Sequence, residues 1–303
     1  YFINGKVGKG KIGDDGFDGL YEINKGSGFT ANLNFLKEVF SIVNNDEITF
    51  VMSVNIIFLN VFCLIYNVKN FYLLIHFIPV KNKALNNISI RMMYGRVKKI
   101  AVLSPVVMYG LPKYIQNKTM VINSRDAYKS NSFSLNRKYS IGFIGKYQPY
   151  KKLDALVGLI RDEGLFDLNF LFASEGVTPE LESIIERPNV TVFDKQLSDN
   201  EFNYYLSECS FLFLDYSSDY SLRFSGMMMD AINNGCGLIV RNESFSYYVD
   251  QYKIGYKFNN DYELLIILKN LQKVDIDYKF YDDYSFLERK RRFINFLGLS
   301  YDV

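Results

Sequence analysis

The chain has 303 residues, 49 % of them hydrophobic and 22 % charged, a globular composition that excludes a largely disordered chain. That length is about twice a typical domain, so two domains of roughly 150 residues each are expected. Thirty-five Lys and Arg against 33 Asp and Glu leave a net charge of +2, which supplies no whole-chain field for gripping nucleic acid, so none is expected as a partner.

The chain opens on Tyr1 rather than Met, which points to a truncated or processed N-terminus, and no charged-then-apolar signal segment appears. Residues 1–28 are glycine-rich and contain Gly8-Lys-Gly10-Lys-Ile-Gly13, formally a dinucleotide fingerprint. DDGFDG follows where a helix should open, so the match is weak. A better glycine turn is Gly26-Ser27-Gly28. After it Phe29, Leu33, Leu36, Phe40 and Val43 recur at helical spacing, predicting a helix over 30–43. Such a turn either lets a substrate approach free N–H groups at the helix start or is a plain connection.

Thr49 to Tyr66 is an uncharged run of eighteen residues, the minimum for a membrane span. Ser53, Asn55 and Asn60 interrupt it, and a second apolar run, Phe71 to Pro79, follows at once. A strand over 48–52, a helix over 55–66 and a strand over 71–78 is the preferred reading, because buried parallel strands read as continuous apolar runs. A helix is expected over 88–95, strands over 99–103 and 118–122, and a polar, aperiodic linker over 126–138.

From Tyr139 the alternation is regular. Strands are expected over 139–145, 168–174, 189–193, 211–216 and 237–241. Helices are expected over 152–163, 179–186, 198–207, 225–233 and 245–249, with a terminal helix over 279–297, apolar at Phe286, Phe293 and Phe296. Strands alternating with helices of this length mean parallel βαβ units. The fold class is therefore α/β, two Rossmann-like domains.

Four features of the second half bear on chemistry. Gly145-Lys146-Tyr-Gln-Pro149-Tyr-Lys151-Lys152 follows a buried strand, at the edge where open α/β sheets bind ligands. The glycine allows close backbone approach, and lysines at such spacing either converge on one diphosphate or form a solvated basic turn. Ser198 with Glu201 is a capping box and purely structural. Ser225-Gly226 opens a helix in a way that suits an anion, Asp230 lies one turn on, where it would accept ribose hydroxyl protons, and the three methionines between read as core packing. Glu288-Arg-Lys-Arg-Arg292 is a basic stripe on the terminal helix, either a solvated face or a membrane-surface contact. The cysteines, Cys63, Cys209 and Cys236, match neither zinc spacing nor a disulfide framework, which suits a reducing compartment.

GFIGKYQPYKKLDAL resembles the segment of family 4 glycosyltransferases in which a strand ends in Gly-Arg and a lysine follows five residues later, with Lys146 at the arginine position and Lys151 at the lysine position. FSGMMMDAINNGCGLIV is similar to the family's later glycine-led helix, and Asp230 falls on its second acidic residue. The resemblance is close over 139–258 and loose before it, through Gly26-Ser27-Gly28, His76 in IHF and Ser104 in AVLS. It implies a GT-B fold, two Rossmann-like domains facing a cleft: residues 1–125 on the acceptor side, a linker over 126–138, a nucleotide-sugar-binding domain over 139–279, and a terminal helix over 280–303 crossing back to the first domain. It implies retaining hexosyl transfer, with no cofactor or metal, from a UDP- or GDP-linked sugar to a glycan or lipid-linked acceptor in bacterial surface polysaccharide synthesis. Gly145, Lys146, Lys151, Ser225, Gly226 and Asp230 then hold the donor, with the two lysines neutralising the leaving diphosphate. Gly26, Ser27 and Gly28 face the substrate. His76 ends a buried run, as either a satisfied core histidine or an acceptor-side contact or base. The location expected is cytoplasmic, with peripheral contact to the inner membrane face. Two departures stand out: Lys146 for arginine loses the bidentate fork, and Leu222 occupies the place of the family's first glutamate. The latter keeps open a non-catalytic GT-B-like subunit that binds a partner or glycan.

Overall fold

A computed structural model describes residues 50–52, 59–60, 63–64, 71–75, 83–122, 126–128, 137–218, 224–274 and 278–298. The helix expected over 30–43, Gly26, Ser27, Gly28 and His76 lie outside the described residues. The chain divides into two compact units. One takes Tyr1–Ser124, Leu222–Phe224 and Lys290–Val303, the other Arg125–Ser221 and Ser225–Arg289.

In the first unit the described elements are β1 (Phe50–Met52), β2 (Phe71–Ile75), α1 (Lys83–Met93), β3 (Val97–Val102), α2 (Pro105–Gly110), α3 (Lys113–Gln116) and β4 (Thr119–Val121). The strands form one parallel sheet in the order β1-β2-β3-β4. Leu59, Asn60, Cys63 and Leu64 are helical. Because Phe50–Met52 is a strand in register with Tyr72–Leu74, the run from Thr49 is not one spanning helix, and among the described residues no helix is long and apolar enough to cross a membrane. Side chains alternate across the sheet. Phe71, Leu73, Ile75, Ile100 and Val102 pack against Ile90 of α1, Val107 of α2 and Ile115 of α3. On the other face Tyr72, Ala101 and Ile122 pack against Phe296.

Phe296 belongs to α11 (Phe286–Leu297), whose residues from Lys290 onward count with this unit. Lys99 Nζ donates at 3.1 Å to the carbonyl of Asn295, which also accepts from the Gly298 N–H, a cation at the negative end of a helix. The single terminal helix expected over 279–297 is instead two, α10 (Tyr278–Asp283) and α11. Tyr284 breaks it: its ring is 2 % exposed and stacks on Phe280 at 4.7 Å. Ser285 then accepts from the Glu288 N–H at 3.2 Å and starts the next helix. Phe293 and Phe296 point inward as expected, but Phe286 is 56 % exposed.

The second unit runs β5 (Tyr139–Ile144), α4 (Asp154–Glu163), β6 (Phe170–Ala173), α5 (Thr178–Leu181), β7 (Val190–Phe193), α6 (Asp199–Ser207), β8 (Cys209–Leu214), α7 (Gly226–Asn233), β9 (Gly237–Arg241), α8 (Asn242–Tyr252), β10 (Gly255–Phe258) and α9 (Asp261–Lys269). Its six strands are parallel, in the order β10-β9-β8-β5-β6-β7. FLFA of β6 and FLFL of β8 are buried throughout, as strands covered on both faces must be. Phe143, Phe170, Phe172, Phe211 and Phe213 turn one way, onto α4, α5 and α9.

Three local readings change. The helix expected over 179–186 shrinks to α5, with turns beyond it. The short helix near 245–249 is the eleven-residue α8. β10 and α9 lie where no element was expected. Their signal was a cap: Asn260 Oδ1 accepts from the Glu263 N–H at 3.0 Å, while the all-apolar LLIIL within α9 hides its helical period. The capping box at Ser198 and Glu201 forms as expected, through bonds of 3.3 and 2.9 Å.

Candidate functional site

Helices that follow β5 and β6 cover one face of the second sheet, and those that follow β8 and β9 cover the other. The order of strands therefore reverses between the neighbours β5 and β8. At such a switch point the two loops leaving the strand ends part, and a crevice opens between them. The loop after β5 carries Gly145 to Leu153; after β8 come Asp215, Tyr216, Ser217 and Ser218, and Ser225 stands before α7.

The two loops are laced at their bases. Lys151 and Tyr216 form an antiparallel bridge. The Lys152 N–H donates to the Asp215 carbonyl at 2.7 Å, and the Ser217 N–H donates to that of Tyr150 at 2.8 Å. Gly145 starts the first loop with φ +96°, a conformation open to glycine and strained for other residues. A Cβ there would lie 2.6 Å from Met227 Cε and 4.0 Å from Lys151 Nζ. Three sequence segments thus meet at one point: the end of β5, the ammonium of Lys151, and the first turn of α7.

Lys151 is only 8 % exposed. Its Nζ donates to the Lys146 carbonyl at 2.6 Å and stands 5.7 Å from the centroid of the Phe143 ring. Burial pulls its pKa from 10.5 down to about 8, because the low-dielectric surroundings disfavour the charged form. An ammonium has three donors, and among the described residues the Lys146 carbonyl is the only acceptor this one meets. Lys146 sits differently. Its ammonium is 69 % exposed and pairs loosely with Glu175 at 3.9 Å, so the two lysines have unequal surroundings.

In α7, Ser225 is the N-cap, its buried Oγ accepting from the Met228 N–H at 3.4 Å. The remaining N–H groups of the first turn have no partner within the helix. Gly226, Met227, Asp230 and Asn234 are half-buried, while Met228, Met229, Ala231, Ile232 and Asn233 are buried. The spacing of the first set, i, i+1, i+4 and i+8, is one face of a helix. Asp230 therefore shares a face with Gly226 and Met227. The three methionines were expected as core, and two of them are. Met227 is the exception, lying over Gly145.

Two residues that the sequence reading left without a role hold the strand ends together. Asp215, 1 % exposed, accepts from Nε and Nη2 of Arg241, both at 2.7 Å, a bidentate fork between the ends of β8 and β9. Arg241 also donates to the Asn259 carbonyl at 3.1 Å and lies 4.8 Å from the centroid of the Phe258 ring. The signal was present, since FLFLD and GLIVR are buried strands that each end in a charge. The pair lines a polar cavity of about 400 Å³ together with Lys152, Asp154, Ser218 and Asp261. Leu222 lies outside the described residues.

No protein-family model and no curated protein sequence matches the chain. Solved structures do. The HepE protein of Anabaena, in complex with UDP, matches with a TM-score of 0.65 at 9 % identity, over 89 % of this chain and 82 % of that one. An α,α-trehalose-phosphate synthase (UDP-forming) from Burkholderia vietnamiensis matches with a TM-score of 0.59 at 8 % identity, over 89 % and 72 %. The UDP-GlcNAc 2-epimerase of Methanocaldococcus jannaschii matches with a TM-score of 0.57 at 11 % identity, over 92 % and 85 %. Two parallel α/β units and these likenesses establish that the chain has the GT-B fold.

Proposed function

We propose that the chain transfers a sugar from a UDP- or GDP-linked donor to a glycan or lipid-linked acceptor, with retention at the anomeric carbon and without a metal, in building a surface polysaccharide. The first unit would take the acceptor and the second the donor. The observation that carries this reading is the meeting of Gly145, Lys151 and the start of α7 at the switch point, where a diphosphate would find close backbone approach, a buried cation and N–H groups that have no partner within their own helix. In the transfer the acceptor oxygen bonds to the anomeric carbon as the bond from that carbon to the diphosphate oxygen breaks, and the acceptor's proton leaves with the diphosphate. Lys151 would offset the charge that develops there, and Lys146 would add a second, solvated charge. Asp230 would accept from ribose hydroxyls. UDP in the HepE complex and the UDP-forming synthase support a nucleotide-sugar donor.

A panel of UDP- and GDP-sugars tests this, with donor hydrolysis and transfer followed with and without EDTA. Turnover of at least one donor that persists in EDTA is expected, and a strict Mg²⁺ requirement would refute the metal-free mechanism. The replacement of the family glutamate by Leu222 favours the second reading, a non-catalytic GT-B-like subunit. Nucleotide binding without turnover, or no nucleotide binding at all, would select it.

The Lys151 pKa of about 8 gives a pH signature. A bound diphosphate favours the ammonium form, so binding draws in a proton wherever the free enzyme has lost one. UDP affinity should hold below pH 8 and fall by up to about tenfold per pH unit above it. Calorimetry in buffers of different ionisation enthalpy should show proton uptake near pH 8 that Lys151→Met abolishes.

A further inference from the structure

The polar cavity beside the ends of β8 and β9 lies across the laced loops from the crevice that meets α7. Lys151 and Tyr216 join those loops as an extended bridge, and successive side chains of an extended segment leave on opposite sides. Lys151 turns its ammonium toward Gly145, where Met227 of α7 also stands. Lys152 leaves on the other side and lines the cavity. Asp154 and Asp261, the first residues of the neighbouring helices α4 and α9, complete the rim with Ser218.

The floor of the cavity is buried. Ala155 and Tyr216 supply its apolar part, and the Asp215 carboxylate, 1 % exposed, supplies a polar one. Each Asp215 oxygen accepts one bond from Arg241 at 2.7 Å, and among the described residues Arg241 is the only donor this carboxylate meets. A carboxylate has about four acceptor positions, so about two remain at a buried residue that lines an empty, polar space. Acceptors in that situation normally find a donor.

The charges select the kind of donor. The fork cancels Asp215 against Arg241, which leaves Lys152 against Asp154 and Asp261. An anion would meet two further carboxylates, and a cation would meet an ammonium and a guanidinium. A hydroxyl suits both signs, since it donates to carboxylates and accepts from an ammonium.

We propose that this cavity binds an uncharged, hydroxyl-rich ligand, the chemistry shared by a free sugar and by the end of a glycan chain. Its volume of about 400 Å³ falls within the range of small-molecule sites, about 300–1,000 Å³. Asp154, Asp215 and Asp261 would accept from ligand hydroxyls, Lys152 would donate to one, and Ala155 and Tyr216 would meet the carbon skeleton. The inference does not rest on the donor-site reading, because this ligand carries no phosphate and touches neither Lys151 nor α7.

Saturation-transfer NMR of the full chain in excess UDP tests it. The probes are glucose, galactose and mannose as free sugars and maltopentaose as a glycan end, beside glucuronate and glucosamine as charged counterparts. At least one neutral probe is expected to bind, and more tightly than either charged one. Preference for maltopentaose over glucose would assign a chain end, and the reverse a free sugar. Asp154→Asn/Asp261→Asn should weaken the binding at least about tenfold, and Ser218→Trp, which fills the mouth, should abolish it. These three side chains are exposed, so circular dichroism should be unchanged. Lys151→Met, which alters only the crevice on the other side, should keep the sugar affinity. Absence of binding by every probe, tighter binding of a charged counterpart, retention by both cavity variants, or loss in Lys151→Met would overturn the proposal.

Discussion

Lys151→Met should weaken UDP binding about hundredfold and at the same time stabilise the folded chain. The binding loss follows from removing a buried ammonium, whose charge-assisted contacts to a diphosphate are each worth about 1.5–3 kcal/mol. A net loss of about 3 kcal/mol corresponds to about hundredfold in affinity. The stability gain follows from the same burial. A lysine held at about 8 in the folded chain, against 10.5 in water, costs on the order of 3 kcal/mol at neutral pH. The sign is fixed by protonation. Below pH 8 both folded and unfolded chains carry the proton and the full cost applies. Between pH 8 and 10.5 the unfolded chain keeps it and the folded chain does not, so wild-type stability rises with pH. The Met variant lacks that rise. Urea denaturation at pH 7 and pH 10, beside UDP calorimetry, reads both effects. A variant that binds UDP as well as wild type ends the donor-site assignment. Asp230→Asn should cost less, about 1–2 kcal/mol of UDP affinity, the worth of a charge-assisted bond to a hydroxyl at a half-exposed position.

The second large effect is expected at Asp215. Asp215→Ala should lower stability by about 2–4 kcal/mol in urea denaturation. Breaking one partner of a buried pair leaves the other charge uncompensated, typically at about 3–5 kcal/mol. The lower figure applies because the Arg241 side chain is 25 % exposed and water reaches it. The joint replacement Asp215→Leu/Arg241→Met should recover most of the loss, since a buried pair and a packed apolar pair are often equivalent in stability. UDP affinity should change little in the single variant, because the Asp215 carbonyl that holds the Lys152 N–H at the foot of the Lys151 loop belongs to the backbone and survives the substitution. A single-variant loss below about 1 kcal/mol would show that the fork does not hold the strand ends.

Both effects turn on residues that look alike in the linear chain. Lys146 and Lys151 carry the same charge five positions apart, yet one is buried beside Gly145 and the other pairs with Glu175 in water. Met227, Met228 and Met229 are consecutive, yet only Met227 leaves the core. Asp215 and Arg241 read as strand ends until β8 and β9 are seen side by side.

Period and composition are local, and they carried much of the architecture. Continuous apolar runs marked β2, β5, β6 and β8 as strands buried on both faces, since a parallel strand has no polar side to show. Ser198, Ser225 and the glycine at 145 announced their turns, because caps and positive φ depend on the residue itself. Folding in three dimensions settled what depends on neighbours distant along the chain. The placing of β8 beside β5 brings α7 to the Gly145 loop, and the packing of Tyr284 on Phe280 cuts the terminal helix in two. Burial, pairing and pKa are properties of an environment, and the environment of Lys151 is assembled from segments some eighty residues apart.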